Sequence, residues 1–171
     1  FKAEGDVIFL VGETKAELGG SEFQAVVHGV SEGRPPELDL NVEKKLLNAV
    51  LGAIQAGLVQ SAHDLAEGGL AVALAESGIS GGLGAQVNVE TSLRPDHALF
   101  SESQSRILLS ASPDKASALE AHLRGLEVPV TVLGKVEGSQ LTVEVNGQPA
   151  LNEAVASLKQ IWEDVIPCLM K

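Results

Sequence analysis

Two periods of apolar and polar positions run along this chain, and each change of period marks an element. "DVIFLVG" (Asp6–Gly12) is a short, wholly apolar run stopped by glycine. It reads as a strand covered on both faces. "ETKAELGGSE" has no period and reads as a glycine-containing loop. "FQAVVHGV" fits helix or strand, and Ser21 in the capping position favours helix. The double proline of "SEGRPPEL" (Ser31–Leu38) removes donors and restricts the preceding residue, so this stretch is a loop. Asp39 and Asn41 are candidate N-caps of a long helix. Its apolar stripe is Val42, Leu46, Val50 and Ile54, with Leu47 and Leu51 alongside, and Gly57 ends it.

"LVQSA" reads as a strand leading into His63-Asp64. After Gly68-Gly69 the run Leu70–Ala75 is apolar all round, which predicts a helix buried all round. "GISGGLG" is a turn-rich break, and "AQVNVE" alternates like a half-exposed strand. "ALFSESQSRILLSAS" passes from a loop into a strand at Ile107–Ser110. Ser112-Pro113 opens a helix that turns Ala116, Leu119 and Leu123 inward. "VPVTVLGKV" and "SQLTVEVNG" read as two strands of a hairpin turning at Glu137-Gly138. A final helix carries Leu151, Val155, Leu158, Trp162 and Val165 on one side and stops at Pro167. A hairpin excludes a purely parallel sheet, so the fold class is α+β, a mixed β-sheet packed by helices.

Composition narrows this further. The 171 residues suit one domain, without internal repeat or linker. With 44% apolar but only 3% aromatic residues, the core must be aliphatic. A formal net charge of −11 repels phosphate backbones and anionic lipid, which argues against a nucleic-acid or membrane partner. No apolar run approaches the ~20 residues of a bilayer span, and no signal peptide is visible. Cys168 is the one cysteine, which excludes an intrachain disulfide and suits a reducing cytoplasm. Phe1 directly before a core strand reads as the start of a domain excised from a longer protein.

Three clusters could carry chemistry. Gly19-Gly20-Ser21 offers N–H groups and a hydroxyl, either as a phosphate cradle or as a flexible loop with a Ser cap. His63-Asp64 at a strand end and Gly68-Gly69 at a helix start form either a ligand site or a cap with tight helix–sheet packing. Glu102-Ser103-Gln104, before an apolar strand, presents hydrogen-bonding groups or simply forms a polar loop. His28, His97 and His122 are too scattered to add metal ligands. No nucleophilic triad, Walker loop or Rossmann fingerprint is present.

Taken together, "GETKAELGGSEF", "HDLAEGGLAVALAES" and "LFSESQSR", in this order, resemble phosphoribosylformylglycinamidine synthase, and more narrowly its C-terminal domain. "FKAEGDVIFLVG" and "VLGKVEGSQLTV" extend the resemblance over nearly the whole chain. The same superfamily includes aminoimidazole ribonucleotide and selenophosphate synthetases, against which "LFSESQSR" argues. The resemblance implies a three-layer α/β/α domain of an ATP-dependent C–N ligase in purine biosynthesis. That enzyme amidates formylglycinamide ribonucleotide with ATP, Mg2+ and glutamine-derived ammonia. It implies as partners the N-terminal domains of the same chain, a separate glutaminase subunit and the ribonucleotide substrate. Those N-domains hold most nucleotide and metal ligands and the catalytic histidine, so this domain alone is expected to be inactive and to hold no cofactor tightly. The small form of the enzyme carries two copies of the domain pair, and "HDLAEGGLAVALAE" and "ELGGSEF" resemble the second. Glu102-Ser103-Gln104 match a triplet that lies at the substrate in the first copy, so here they take the pseudo-symmetric position. A non-catalytic scaffold copy is the alternative.

Overall fold

A computed structural model describes the backbone of residues 1–169 and the side chains of residues 1–163. The chain runs through β1 (Val7–Val11), a π-helical turn at Gln24–His28, α1 (Leu40–Gln55), β2 (Ser61–Asp64) and α2 (Gly69–Gly81). It continues through β3 (Ala85–Val89), α3 (Pro95–Phe100), β4 (Ile107–Ala111) and α4 (Pro113–Gly125). β5 (Val130–Val136), β6 (Gln140–Val145), β7 (Gln148–Ala154) and α5 (Val155–Leu169) complete it. The seven strands form one mixed sheet in the order β2-β4-β1-β5-β3-β6-β7, in which only β3 and β6 pair in parallel.

Helices cover both faces, giving the α/β/α layering. Alternate side chains of the strands feed two separate cores. Ile8, Leu10, Leu108, Val87 and Val143 meet α2, α3 and α5 on one face. Phe9, Val11, Leu109 and Ala111 meet α1 and α4 on the other. β1 is central because both of its faces are apolar, and four of its five residues are buried. Asp39 caps α1, its carboxylate accepting from the N–H groups of Asn41 and Val42. The described residues include no helix long and apolar enough to cross a membrane.

Several expectations from sequence need correction. β5 and β6 form no hairpin. The turn at Glu137-Gly138 exists, but β3 lies between the two strands, antiparallel to β5 and parallel to β6. Gly134 makes room for this insertion, since a β-carbon there would lie 1.9 Å from the Gln86 carbonyl oxygen. The real hairpin is β6–β7, turning at Asn146-Gly147 with φ of 52° and 72°. Positive φ at both central residues is what such a two-residue turn requires. Leu151 therefore belongs to β7, and α5 begins only at Val155. Val155 is buried and Leu158 packs on the core, but Trp162 is 61% exposed, while the side chains of Val165 and Cys168 lie outside the described residues. Pro167 falls within the last turn of α5 rather than ending it, where its missing donor costs a single hydrogen bond.

The remaining differences are smaller. β2 starts at Ser61 and includes His63 and Asp64, three residues later than "LVQSA" predicts. A helix, α3, replaces part of the expected loop, with Pro95 in its first turn. α2 is not buried all round, because Val72 faces outward at 37% exposure while Leu70, Ala73 and Leu74 are buried. On α1, Leu46, Ala49, Val50 and Ala53 form the buried face, while Val42, Leu47, Leu51 and Ile54 are exposed. Small alanines beside the leucines let α1 lie close on the sheet, so the buried face is rotated from the leucine-rich stripe. The segment "FQAVVHGV" is helical, as the Ser21 cap predicts, and the Ser21 hydroxyl accepts the Gln24 N–H at 3.3 Å.

Candidate functional site

Strand direction gathers the three polar clusters. β1 and β2 both run antiparallel to β4, so their last residues meet the first residue of β4, as Val11 and Asp64 each pair with Ile107. The segment after β1, the start of α2 and the loop before β4 thus share one end of the sheet. Residues 99–106 form the hub of this end.

Glu102 joins the other two clusters. Its Oε1 accepts the Gly68 N–H at 2.9 Å and the Glu22 N–H at 2.9 Å. The two glycine-rich starts therefore lie side by side, bridged by one carboxylate oxygen. Their N–H groups have partners within the domain, as the capped-loop alternative has it. Gly20 donates to the Glu32 carbonyl and to Gln24 Oε1, Ser21 to the Leu18 carbonyl, and Gly69 to the Ala66 carbonyl. The Ser21 hydroxyl is buried and donates to the Leu18 carbonyl at 2.7 Å. A protein carboxylate occupies the place a ligand anion would take, accepting from the backbone donors at the helix start.

Close packing explains Gly19 and Gly68, whereas Gly20 has open space around it and is set apart by its φ of 71°. A β-carbon at Gly19 would lie 2.2 Å from the Arg34 carbonyl oxygen, and one at Gly68 would lie 2.3 Å from a methyl of Val72. Gly68 and Gly69 also adopt φ of 76° and 62°, in the left-handed region that other residues rarely enter.

Ser103 is buried, and its hydroxyl accepts the Lys15 N–H at 3.0 Å. Gln104 is exposed and folds back on the Glu102 carbonyl at 3.2 Å. Of the triplet, Ser103 is buried, Glu102 half-buried and Gln104 exposed. His63 turns toward the second half of α2, where its Nε2 lies 3.1 Å from Glu76 Oε2, and its Nδ1 meets the Asp64 carbonyl oxygen at 2.8 Å. Its imidazole therefore stands apart from the Glu102 hub, and the Asp64 side chain is 83% exposed.

Sequence reasoning missed the residue that organises the hub. Arg106 is 3% exposed, and its guanidinium donates to the carbonyl of Ser103 at 2.9 Å, the carbonyl of Ser101 and the hydroxyl of Thr14 at 3.1 Å. Burial lowers its pKa to about 10, partly opposed by the charges of Glu17 and Glu102. At neutral pH it remains a cation, and it fixes the 101–105 loop from inside. The available signal was a lone arginine wedged between a polar triplet and an apolar strand. Phe23 stacks on Phe100 with ring centroids 4.7 Å apart, a second missed contact between the clusters.

The resemblance implies ATP and Mg2+, and the residues here do not fit either. The amides that could hold phosphate already donate, and the acceptor at Gly68 is a carboxylate that repels phosphate. Among the described residues no group of three His, Cys, Asp or Glu side chains converges to hold a metal ion.

Comparison with known proteins agrees with the geometry. Residues 3–146 match the family model described as AIR synthase related protein, C-terminal domain. Phosphoribosylformylglycinamidine synthase subunit PurL of Alkaliphilus metalliredigens is 48% identical over 171 residues, which is 100% of this chain and 23% of that protein. The chain thus spans about a quarter of the length of the curated relatives it matches. Among solved structures, Thermotoga maritima PurL complexed with FGAR superposes with a TM-score of 0.81 at 28% identity, covering 92% of this chain and 28% of that one. The same enzyme complexed with ATP superposes with a TM-score of 0.73 at 28% identity, covering 93% and 26%.

Proposed function

The chain belongs to the AIR synthase related protein family, whose C-terminal domain it matches, and from that premise we propose that it serves as a C-terminal domain of a PurL-type phosphoribosylformylglycinamidine synthase. In that role it works within a longer polypeptide that amidates formylglycinamide ribonucleotide at the expense of ATP, in the cytoplasm. The N-terminal domains of the same polypeptide supply the nucleotide and Mg2+ ligands, and a glutaminase subunit supplies ammonia. Support comes from the 48% identical relative, a phosphoribosylformylglycinamidine synthase subunit.

One observation carries the reading of what this domain itself contributes. Its three motif clusters converge at one sheet end, yet their donors and acceptors are spent on one another around Glu102 and Arg106. The domain therefore acts by shape. It offers an acidic end, with its backbone donors largely occupied by its own acceptors, against which other domains pack, and Gln104 is the exposed side chain of the triplet. This favours the scaffold copy over a copy that touches reacting atoms, and on this reading the isolated chain is expected to be inactive.

The test is a chimera. The 171 residues replace the corresponding segment of the Alkaliphilus subunit, and the product is assayed for growth of a purine-requiring strain without purines. Growth is expected from the chimera and none from the isolated chain. A folded chimera that fails to support growth contradicts the assignment.

A further inference from the structure

We propose that residues 12–38 form a hinged strap, clasped by Glu102, whose opening uncovers the guanidinium of Arg106 while the sheet stays folded. The proposal rests on geometry and does not depend on which enzyme the domain serves.

The strap has almost no apolar anchorage. From Glu13 to Leu38 the one buried residue is Ser21, and Val26, Val27, Val30 and Leu38 are all exposed. A segment with so little buried apolar surface opens at a small fraction of the cost of global unfolding. Yet it holds itself together, since Gly20 donates to the Glu32 carbonyl at 2.8 Å and Glu37 donates to Glu17 Oε1 at 3.1 Å. It can thus swing as a unit between Gly12, with φ of 95°, and the Asp39 cap of α1.

Apart from the Gly12 N–H, which donates to the Pro129 carbonyl at 2.9 Å at the hinge, the strap's attachments fall on residues 100–106. Lys15 and Glu17 donate to the hydroxyls of Ser103 and Ser101 at 3.0 and 3.2 Å, and Phe23 stacks on Phe100. Thr14 accepts from Arg106 Nη1. Glu102 is the clasp among these. Its N–H donates to the Glu17 carbonyl at 3.3 Å, and its Oε1 takes the strap's Glu22 N–H together with the Gly68 N–H of α2. Bonds to an ionised carboxylate are about twice as strong as neutral ones, so this one side chain contributes disproportionately to closure. When the strap lifts, Arg106 keeps the Ser101 and Ser103 carbonyls and loses Thr14, which leaves its Nη1 edge open to solvent.

Phenylglyoxal, which modifies accessible arginines, reads the device directly. Labelling of each arginine is followed by mass spectrometry in the wild-type chain, in E102A and in Q104A, with Arg34 and Arg124 as exposed references. Losing the charge-assisted clasp is expected to speed Arg106 labelling about tenfold or more in E102A. The references and Q104A should stay at wild-type rates, and amide exchange in β1 should stay slow. An unchanged Arg106 rate in E102A overturns the proposal. So does an equal rise in Q104A, or a rise matched by faster exchange in β1, which would mean global unfolding. If E102A does not fold, E102L, which fills the space without supplying an acceptor, carries the same comparison with the same overturning results.

Discussion

The Cα of Gly69 faces the carbonyl oxygen of Ser101 so closely that a β-carbon there would lie 2.4 Å from it. The first residue of α2 is thereby pressed against the loop that carries Glu102. Gly69→Ala adds that β-carbon to backbone and also strains a φ of 62°. A loss of ~2–4 kcal/mol is expected, from left-handed strain and overpacking together, measured by urea unfolding. A loss of a few tenths would show that the loop gives way without cost.

Gly147 provides the contrast. Its φ is 72°, but nothing lies within 4 Å of the β-carbon position. Gly147→Ala should cost only about 1–2 kcal/mol, the backbone term alone. Chemical denaturation of the two variants side by side separates steric from conformational demand.

How much of this was legible in the sequence depends on the range of the interactions. β1, α1, α4 and the α2 start are set by local pattern, caps and glycines, and they stand where the apolar periods place them. The strand order was not legible, because the insertion of β3 between β5 and β6 is decided by the bulge around Gly134 and by tertiary contacts. Asn146-Gly147 was a readable hairpin signal, but "QPALNEA" lacks the β-branched residues that mark a strand and so was absorbed into the following helix. At the hub, the glycines and the Glu-Ser-Gln triplet stood out by composition. Their mutual satisfaction did not, since Glu102 and Gly68 are 34 residues apart. Arg106 was invisible as a hub because its partners are mainly backbone carbonyls, which every sequence has.

Leu74 is fully buried in the core between α2 and the sheet, whereas Val72 on the same helix is 37% exposed. Leu74→Ala should cost ~2–5 kcal/mol. Val72→Ala should cost less than about 1 kcal/mol, since little surface leaves water there. Equal losses would contradict the orientation of α2.

Asp114 in the first turn of α4 is held below the ordinary carboxylate pKa, chiefly by its hydrogen bond with Ser112. A depressed folded-state pKa stabilises the ionised fold above the ordinary value of 3.8 and loses that stabilisation as pH falls through the folded value. Asp114→Asn should therefore lower the melting temperature at pH 7, and the gap should narrow as pH falls below 3.8. A gap that stays constant with pH would show that ionisation of Asp114 plays no part at this helix start.

We propose that this domain leaves nucleotide binding to other domains, since its glycine-rich amides already donate to its own carbonyls and to Glu102. Isothermal titration of Mg-ATP into the purified 171-residue chain tests this most directly. No saturable binding is predicted up to about 1 mM, the concentration at which even a site worth roughly −4 kcal/mol would be half filled. Saturable one-to-one binding with a Kd in the micromolar range would contradict it.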